Sequence, residues 1–248
     1  MSTPGAGSVR PHVTVILPTY NEAGNIEDLI IAIRHALKAW DLELIVVDDN
    51  SPDETWRIAE IRSKTTPELR VIRRIGERGL TSAIQRGIRE SRGSIICWLD
   101  CDFSQPPELL PALVSAVESR CDIAVGSRYV QGGSDSRTGT RLRIWLSSVI
   151  TTLSSMLLVR DFRDHTSGFI AARRSVFEQI SLRGDYGEYF IDLIFRAHRR
   201  GFRIVEIPYV CVPRRSGESK TESGMISKGM KYLGTVARLR WEALRGAC

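Results

Sequence analysis

The stretch LELIVVDDNSPDETW, Leu42–Trp56, changes character within fifteen residues. Leu44 to Val47 is an unbroken apolar run rich in β-branched residues, as a strand buried on both faces of a parallel sheet tends to be. Two carboxylates, Asp48 and Asp49, end it. SPDE follows, where Ser51 predicts an N-cap, Pro52 fits a first helical turn and Glu54 completes a capping box. A buried strand running directly into a helix is half of a βαβ unit.

The same alternation extends to both sides. HVTVILP, LRVIRR, SIICWLD and DIAVGSR read as further strands. Between them, Ile26, Leu29, Ile30, Ile33 and Leu37 recur at helical spacing, a helix is expected over Leu80–Arg89, and another after PPELL. The order predicts an α/β fold, a Rossmann-like doubly wound, mainly parallel sheet flanked by helices, with ligands beyond the carboxyl ends of the strands.

Composition agrees with one folded unit: 248 residues, 42% hydrophobic and 26% charged. The formal charge of +6 points to an anionic partner without choosing among nucleic acid, phospholipid and a phosphorylated substrate. Five cysteines, Cys97, Cys101, Cys121, Cys211 and Cys248, show no CxxC and no neighbouring histidine cluster, so reduced thiols are expected rather than a zinc site or a disulfide framework. Residues 1–11 read as a flexible tail with no secretory signal, 12–222 as the main domain, and 223–248 as a basic amphipathic helix.

The predicted topology gathers carboxylates at one sheet edge. Asp48 and Asp49 end the second strand; Asp100 and Asp102, in CWLDCDFSQPPE, end the fourth. Two residues apart on an extended chain, Asp100 and Asp102 face the same side and repel each other unless a cation intervenes. Hard carboxylate oxygens suit Mg²⁺ or Mn²⁺, which bind one or two carboxylates together with substrate phosphates. PTYNEAGN replaces the GxGxxG of a dinucleotide site after the first strand, which disfavours a dehydrogenase.

The second half is patterned differently. Ile144–Val159 carries no charge but falls short of the ~20 residues of a spanning helix, and it suits a core helix and a helix at a membrane surface equally. Ile226, Met230, Leu233, Ala237, Trp241 and Leu244 fall on one stripe of the last helix, with Lys228, Lys231, Arg238, Arg240 and Arg245 on other faces. That pattern fits an anionic bilayer or a solvated helix packed on the domain.

Taken in order, VILPTYNEAGNIEDLI, LIVVDDNSPDETW, RGLTSAIQRGI, DCDFSQPPELL, GSRYVQGG, TSGFIAARR and RRSGESK resemble the family-2 glycosyltransferases of GT-A fold, and among them the dolichyl-phosphate (polyprenyl-phosphate) mannosyltransferases. The resemblance implies donor binding by Pro18, Tyr20, Glu22, Val47 and Asp49, joined by Asp100, Cys101 and Asp102. It implies a metal, Mg²⁺ or Mn²⁺, on Asp100 and Asp102 with Ser104 nearby. Arg128, Arg143 and Ser147 match positions that receive the acceptor lipid phosphate, and Arg214 and Lys220 match a segment that closes over phosphates. Asp100, Asp102, Arg128 and Arg143 are thus the expected catalytic set. Thr81 stands where similar enzymes often carry glycine, and Pro213 where an acidic residue commonly precedes the arginine.

Elementary chemistry is consistent with that assignment. The second pKa of a phosphomonoester is ~6, so a polyprenyl phosphate is an ionised nucleophile near neutral pH and needs no histidine base. His12, His35, His165 and His198 are accordingly expected to be structural or solvated. With 7% aromatic residues and no RNA-binding motif, nucleic acid is not expected as a partner. The expected activity is inverting, metal-dependent transfer of a hexose, mannose from GDP-mannose, to a polyprenyl phosphate at the cytoplasmic face of a membrane. Some relatives carry spanning helices and others use a separate membrane subunit, so a peripheral or partnered protein is implied. A UDP-sugar donor such as UDP-glucose, and a catalytically silent scaffolding subunit, stay open as alternatives.

Overall fold

The computed structural model describes residues 12–137, 141–217 and 225–245, excepting the side chains of 141–148 and 225–228. The elements run β1 (His12–Thr19), α1 (Ile26–Ala36), β2 (Asp41–Asp48), α2 (Thr55–Ser63), β3 (Leu69–Arg73), α3 (Leu80–Glu90), β4 (Ile95–Trp98), α4 (Leu110–Ser119) and β5 (Ile123–Ser127). After them come β6 (Ser134–Asp135), α5 (Arg141–Leu157), β7 (Ile170–Arg173), α6 (Arg174–Gln179), α7 (Tyr189–Arg199), β8 (Ile204–Pro208), β9 (Val210–Cys211) and α8 (Met225–Leu244).

Seven strands form one sheet in the order β3-β2-β1-β4-β7-β5-β8. It is mainly parallel, as expected, but β7 runs antiparallel to both β4 and β5 and separates them. The short strands β6 and β9 pair in a second, two-stranded sheet. One face of the large sheet is covered by the apolar stripe of α1 and by α4, with Leu29, Ile30, Ile33, Leu113 and Val117 fully buried. The other face packs on α3 and α7 through Ile84, Trp98, Phe190 and Ile194.

The start of α2 differs from the expected capping box. The helix opens at Thr55, Glu54 stands before it in the left-handed region, and neither makes a side-chain cap. Ser51 is already engaged: its hydroxyl donates to Asp48 Oδ2 at 2.6 Å and accepts from the Asn21 N–H at 3.0 Å. Asp53 takes over the helix end, its Oδ1 accepting from the Thr55 N–H at 3.1 Å and the Thr55 hydroxyl at 2.6 Å.

The last helix turns its apolar stripe outward. It packs on α5 and α7, burying Val236 and Leu239; the side chain of Ile226 lies outside the described residues. Met230, Leu233, Trp241 and Leu244 are 62%, 46%, 53% and 72% exposed, a one-sided apolar surface beside Arg240 and Arg245. On α5, Ile150 and Ser154 face inward while Met156 and Leu157 are exposed, so the uncharged helix divides between core and surface. No helix among the described residues is long and apolar enough to cross a membrane.

Candidate active site

The crevice lies beyond the carboxyl ends of β1, β2 and β4, where β1 is hydrogen-bonded between the other two. Asp48 is fully buried and ties the strand ends together: it accepts from the Thr19 hydroxyl at 2.8 Å and from the Ser51 N–H at 2.8 Å. Asp49 turns toward the next loop. Its Oδ1 accepts from Arg74 Nε at 2.7 Å and from Arg74 Nη2, and its Oδ2 accepts from the Gly79 N–H at 2.8 Å. Gly79 has φ +139°, a backbone conformation other residues rarely adopt, and this puts its N–H on the carboxylate just ahead of α3.

After β1 the chain carries the expected donor residues. Tyr20 lies under the Arg78 guanidinium, 3.8 Å from the ring centroid, a stacked face at the crevice mouth. Glu22 is buried; Oε1 accepts from Arg214 Nη2 at 3.1 Å and Oε2 from Asn25 Nδ2 at 2.8 Å. Pro18 is partly exposed, whereas Val47 is fully buried in the core, so its side chain does not reach the crevice.

Asp100 and Asp102 follow β4 on a tight turn. Phe103 occupies the left-handed region at φ 64°, and the turn returns the Ser104 N–H to Asp102 Oδ1 at 3.0 Å. Gln105 holds Asp100 from the other side: its Oε1 accepts from the Asp100 N–H at 2.8 Å, and its Nε2 donates to Asp100 Oδ2 at 3.3 Å and to the Ser167 carbonyl at 3.0 Å. Cys101 is buried between the two aspartates, its thiol 3.6 Å from the Pro18 carbonyl, and so underlies the crevice floor. Asp100 is open to solvent yet lies deep in the crevice. That enclosure, followed by the charge of Asp102, pushes its pKa up to about 7.

The segment before Gly217 closes over this turn. Arg215 N–H donates to the Asp102 carbonyl at 2.9 Å, and Arg214 Nη2 stands 3.6 Å from Asp102 Oδ2 while bonded to Glu22. Arg214 thus bridges the donor loop and the aspartate turn. Lys220 lies outside the described residues, and Arg143 and Ser147 fall on α5 where side chains are not described.

Arg128 is 5% exposed, so it does not stand free at the crevice. Its Nε donates to Asp164 Oδ2 at 2.8 Å, its Nη2 to Asp164 Oδ1 at 2.7 Å and to Thr166 Oγ1 at 2.8 Å, and Nη1 lies 3.5 Å from Asp135. Burial disfavours its charge, but Asp164 outweighs that and raises its pKa. His165 is fully buried, edge-on to Phe162 with centroids 4.9 Å apart; burial lowers its pKa to about 4 and keeps the ring neutral, in keeping with a structural role.

Sequence reasoning missed Gln105, Asp164, Arg74 and Arg78. Gln105 had a legible signal, an amide three residues after the second aspartate and ahead of two prolines. Asp164 had none, because the pairing of a buried carboxylate with an arginine 36 positions away is set by tertiary structure.

Among the described residues no cluster of three or more His, Cys, Asp and Glu side chains forms a protein cage for a metal. Asp100 and Asp102 nonetheless suit a divalent cation that takes its other ligands from phosphates. Among the described residues Asp100 Oδ2 accepts from Gln105 Nε2, and Asp102 accepts from the Ser104 N–H and has Arg214 at 3.6 Å, while the charge of Asp102 adds to burial in raising the pKa of Asp100.

Comparison with known proteins places this geometry in context. Residues 14–181 match the family model described as glycosyl transferase family 2. A dolichol-phosphate mannosyltransferase of Pyrococcus furiosus is 37% identical over 232 residues, 93% of this chain; the chain spans 64% of that relative's length. A polyprenol monophosphomannose synthase of Mycolicibacterium smegmatis is 37% identical over 239 residues, 91% of this chain and 89% of the relative. Among solved structures, glucosyl-3-phosphoglycerate synthase from Mycobacterium tuberculosis, in complex with Mn²⁺, UDP-glucose and phosphoglyceric acid, superposes with a TM-score of 0.72 at 20% identity, covering 96% of this chain and 86% of that one. At that identity the likeness speaks for the fold.

Proposed function

The chain belongs to glycosyl transferase family 2 and is a glycosyltransferase of GT-A fold, and from there we propose that it transfers mannose from GDP-mannose to a polyprenyl phosphate with inversion at the anomeric carbon. The observation that carries the reading is the turn of Asp100 and Asp102 at the carboxyl end of β4, incompletely neutralised and covered by a segment bearing Arg214. Two such relatives at 37% identity support the choice of sugar and acceptor.

In this reading Tyr20, Glu22 and Asp49 shape the donor pocket, with Arg78 on the face of Tyr20. Pro18, Val47 and Cys101 contribute main chain and packing. Asp100 and Asp102, with Ser104 beside them, hold Mg²⁺ or Mn²⁺ against the donor diphosphate. When bound, the cation supplies Lewis-acid stabilisation of the departing nucleoside diphosphate. Arg214 and Lys220 contribute positive charge over the same phosphates. Arg143 and Ser147 hold the lipid phosphate in line with the anomeric carbon, and Arg128, committed to Asp164, supports the wall behind them. The ionised phosphate attacks without a protein base. The exposed apolar surface of α8, flanked by arginines, sets residues 12–222 against the cytoplasmic face of a membrane as a peripheral enzyme, with or without a small membrane subunit.

The test is transfer of labelled sugar into organic-extractable lipid, with GDP-mannose and UDP-glucose in parallel, a polyprenyl phosphate acceptor, and Mg²⁺ or Mn²⁺ against chelator. Metal-dependent product from GDP-mannose alone is expected. Product from UDP-glucose alone overturns the donor assignment, and product undiminished by chelator overturns the role of the two aspartates. No product from either donor moves the case to a silent subunit.

A further inference from the structure

On the outer side of the Arg128–Asp164 pair lies a groove of about 500 Å³ whose residues are not among those assigned to donor or acceptor. Tyr129 and Arg163, the chain neighbours of that buried pair, form one wall, and Thr151, Thr152, Ser155 and Met156 of α5 form another. Arg160, in the turn that follows α5, completes the lining.

The chemistry of this lining is one-sided. Arg160 and Arg163 are both exposed, and among the described residues neither side chain makes a hydrogen bond or an ion pair. Other arginines nearby are engaged: Arg128 with Asp164, Arg137 with Asp135. Thr151 is 6% exposed and its hydroxyl is without a hydrogen-bond partner, an uncommon state for a buried polar group. Among the described residues no carboxylate lines the groove. Two uncommitted guanidinium groups beside hydroxyls suit a phosphate oxyanion, and guanidinium geometry favours bidentate contact with one.

What adjoins the groove identifies the kind of phosphate. Met156 lines it and is 67% exposed, and Leu157 beside it is 41% exposed. The helix that carries both packs on α8, which presents Met230, Leu233, Trp241 and Leu244 to solvent. Met156 and Leu157 thus give Arg160 and Arg163 an apolar fringe on α5 itself, the arrangement that meets a charged head group and its acyl chains together. Thr151 lies one turn beyond Ser147 on α5 and Tyr129 directly follows Arg128, so the groove adjoins the acceptor phosphate position without sharing its residues.

We infer that the groove lined by Thr151, Thr152, Ser155, Arg160 and Arg163 binds the head group of an anionic phospholipid, a second lipid contact beside the acceptor. The inference rests on the lipid-acceptor reading for the presence of a bilayer, but its readout is vesicle binding and not transfer, so either can fail alone.

The experiment compares the wild-type chain, the Arg160→Ala/Arg163→Ala variant and a charge-matched control, Arg199→Ala/Arg200→Ala at the exposed end of α7. Each is sedimented with vesicles of phosphatidylcholine alone and of phosphatidylcholine with phosphatidylglycerol, and thermal unfolding of each confirms folding. With each basic residue near an anionic surface contributing a factor of about 5, the groove variant is expected to lose about thirtyfold in affinity for the anionic vesicles and little for the neutral ones. The control is expected to lose less than about threefold. Equal losses in both variants, or no loss in the groove variant, overturn the inference. So does an arginine-dependent rise in unfolding midpoint with inorganic phosphate when vesicle binding is unchanged, since that assigns the groove to a free anion.

Discussion

Two pairs of aspartates stand at the ends of neighbouring parallel strands, and the protein treats them in opposite ways. Asp48 and Asp49 are answered from within: hydroxyls and a backbone N–H meet the first, and Arg74 with the Gly79 N–H meets the second. Asp100 and Asp102 receive one amide, one backbone N–H and a single arginine at 3.6 Å, and burial, followed by the charge of Asp102, pushes the pKa of Asp100 up to about 7. The first pair spends its charge on holding the loops in place. The second has fewer internal partners, and in the proposed reading its carboxylates serve a ligand; the partners rather than the spacing of the residues separate the two.

The largest expected effect tests the second pair. Asp102→Asn should lower sugar transfer by about 10³-fold while its unfolding transition stays within about 1 kcal/mol of wild type, because the change costs no internal ion pair beyond Arg214. A variant with full activity would place the metal elsewhere. Asp49→Ala should cost stability as well as donor binding. It leaves the nearly buried Arg74 without its carboxylate, and breaking a buried pair costs about 3–5 kcal/mol, measurable by denaturant unfolding.

A smaller effect comes from His165, which escapes the problem of buried charge by staying neutral. Its pKa is depressed to about 4 from 6.5, so between those values the unfolded chain binds the proton first. Its share of stability is complete above pH ~6.5 and is lost as pH falls through 4, in all about 3 kcal/mol at ~1.4 kcal/mol per pH unit. Equilibrium unfolding of His165→Gln against wild type should show that slope in the wild type alone. The smallest effect on stability has the opposite sign. Asp100→Asn should stabilise the chain by about 1 kcal/mol at pH 8 while abolishing transfer, the solvent at Asp100 reducing what its pKa would otherwise imply. Destabilisation of that variant would make the two aspartate pairs alike.

What the amino-acid sequence disclosed, and what it withheld, follows the range of the forces involved. The first five strands and the helices between them were legible because burial imposes its period locally, as with Ile26, Leu29, Ile30 and Ile33. The place of β7 was not: IAAR is four residues long, and nothing local tells that it will lie antiparallel between β4 and β5. Ser51 reads as a cap by rule, yet a carboxylate three residues earlier holds it first. The stripe on α8 was found but its direction was not, since Met230 and Trp241 outward and Val236 and Leu239 inward depends on where α5 and α7 sit. At the site, the aspartate turn was legible from two letters, Arg214 from the resemblance and Gln105 from its place ahead of two prolines, whereas the Asp164 that fixes Arg128 is a tertiary acquaintance.

The inserted strand β7 also sets a timetable for synthesis. β3, β2, β1 and β4 are complete once residue 98 has left the ribosome, and each pairs with a neighbour from the same stretch. The far side of β4, with Cys97 and Trp98, finds its partner only when residues 170–173 emerge, some seventy residues later. At ~5–20 residues per second, that leaves an unpaired apolar edge waiting for several seconds in the nascent chain. β5 arrives in the interval but is not the strand that pairs there, so the chain must hold a vacant place in its own sheet until the right one is made.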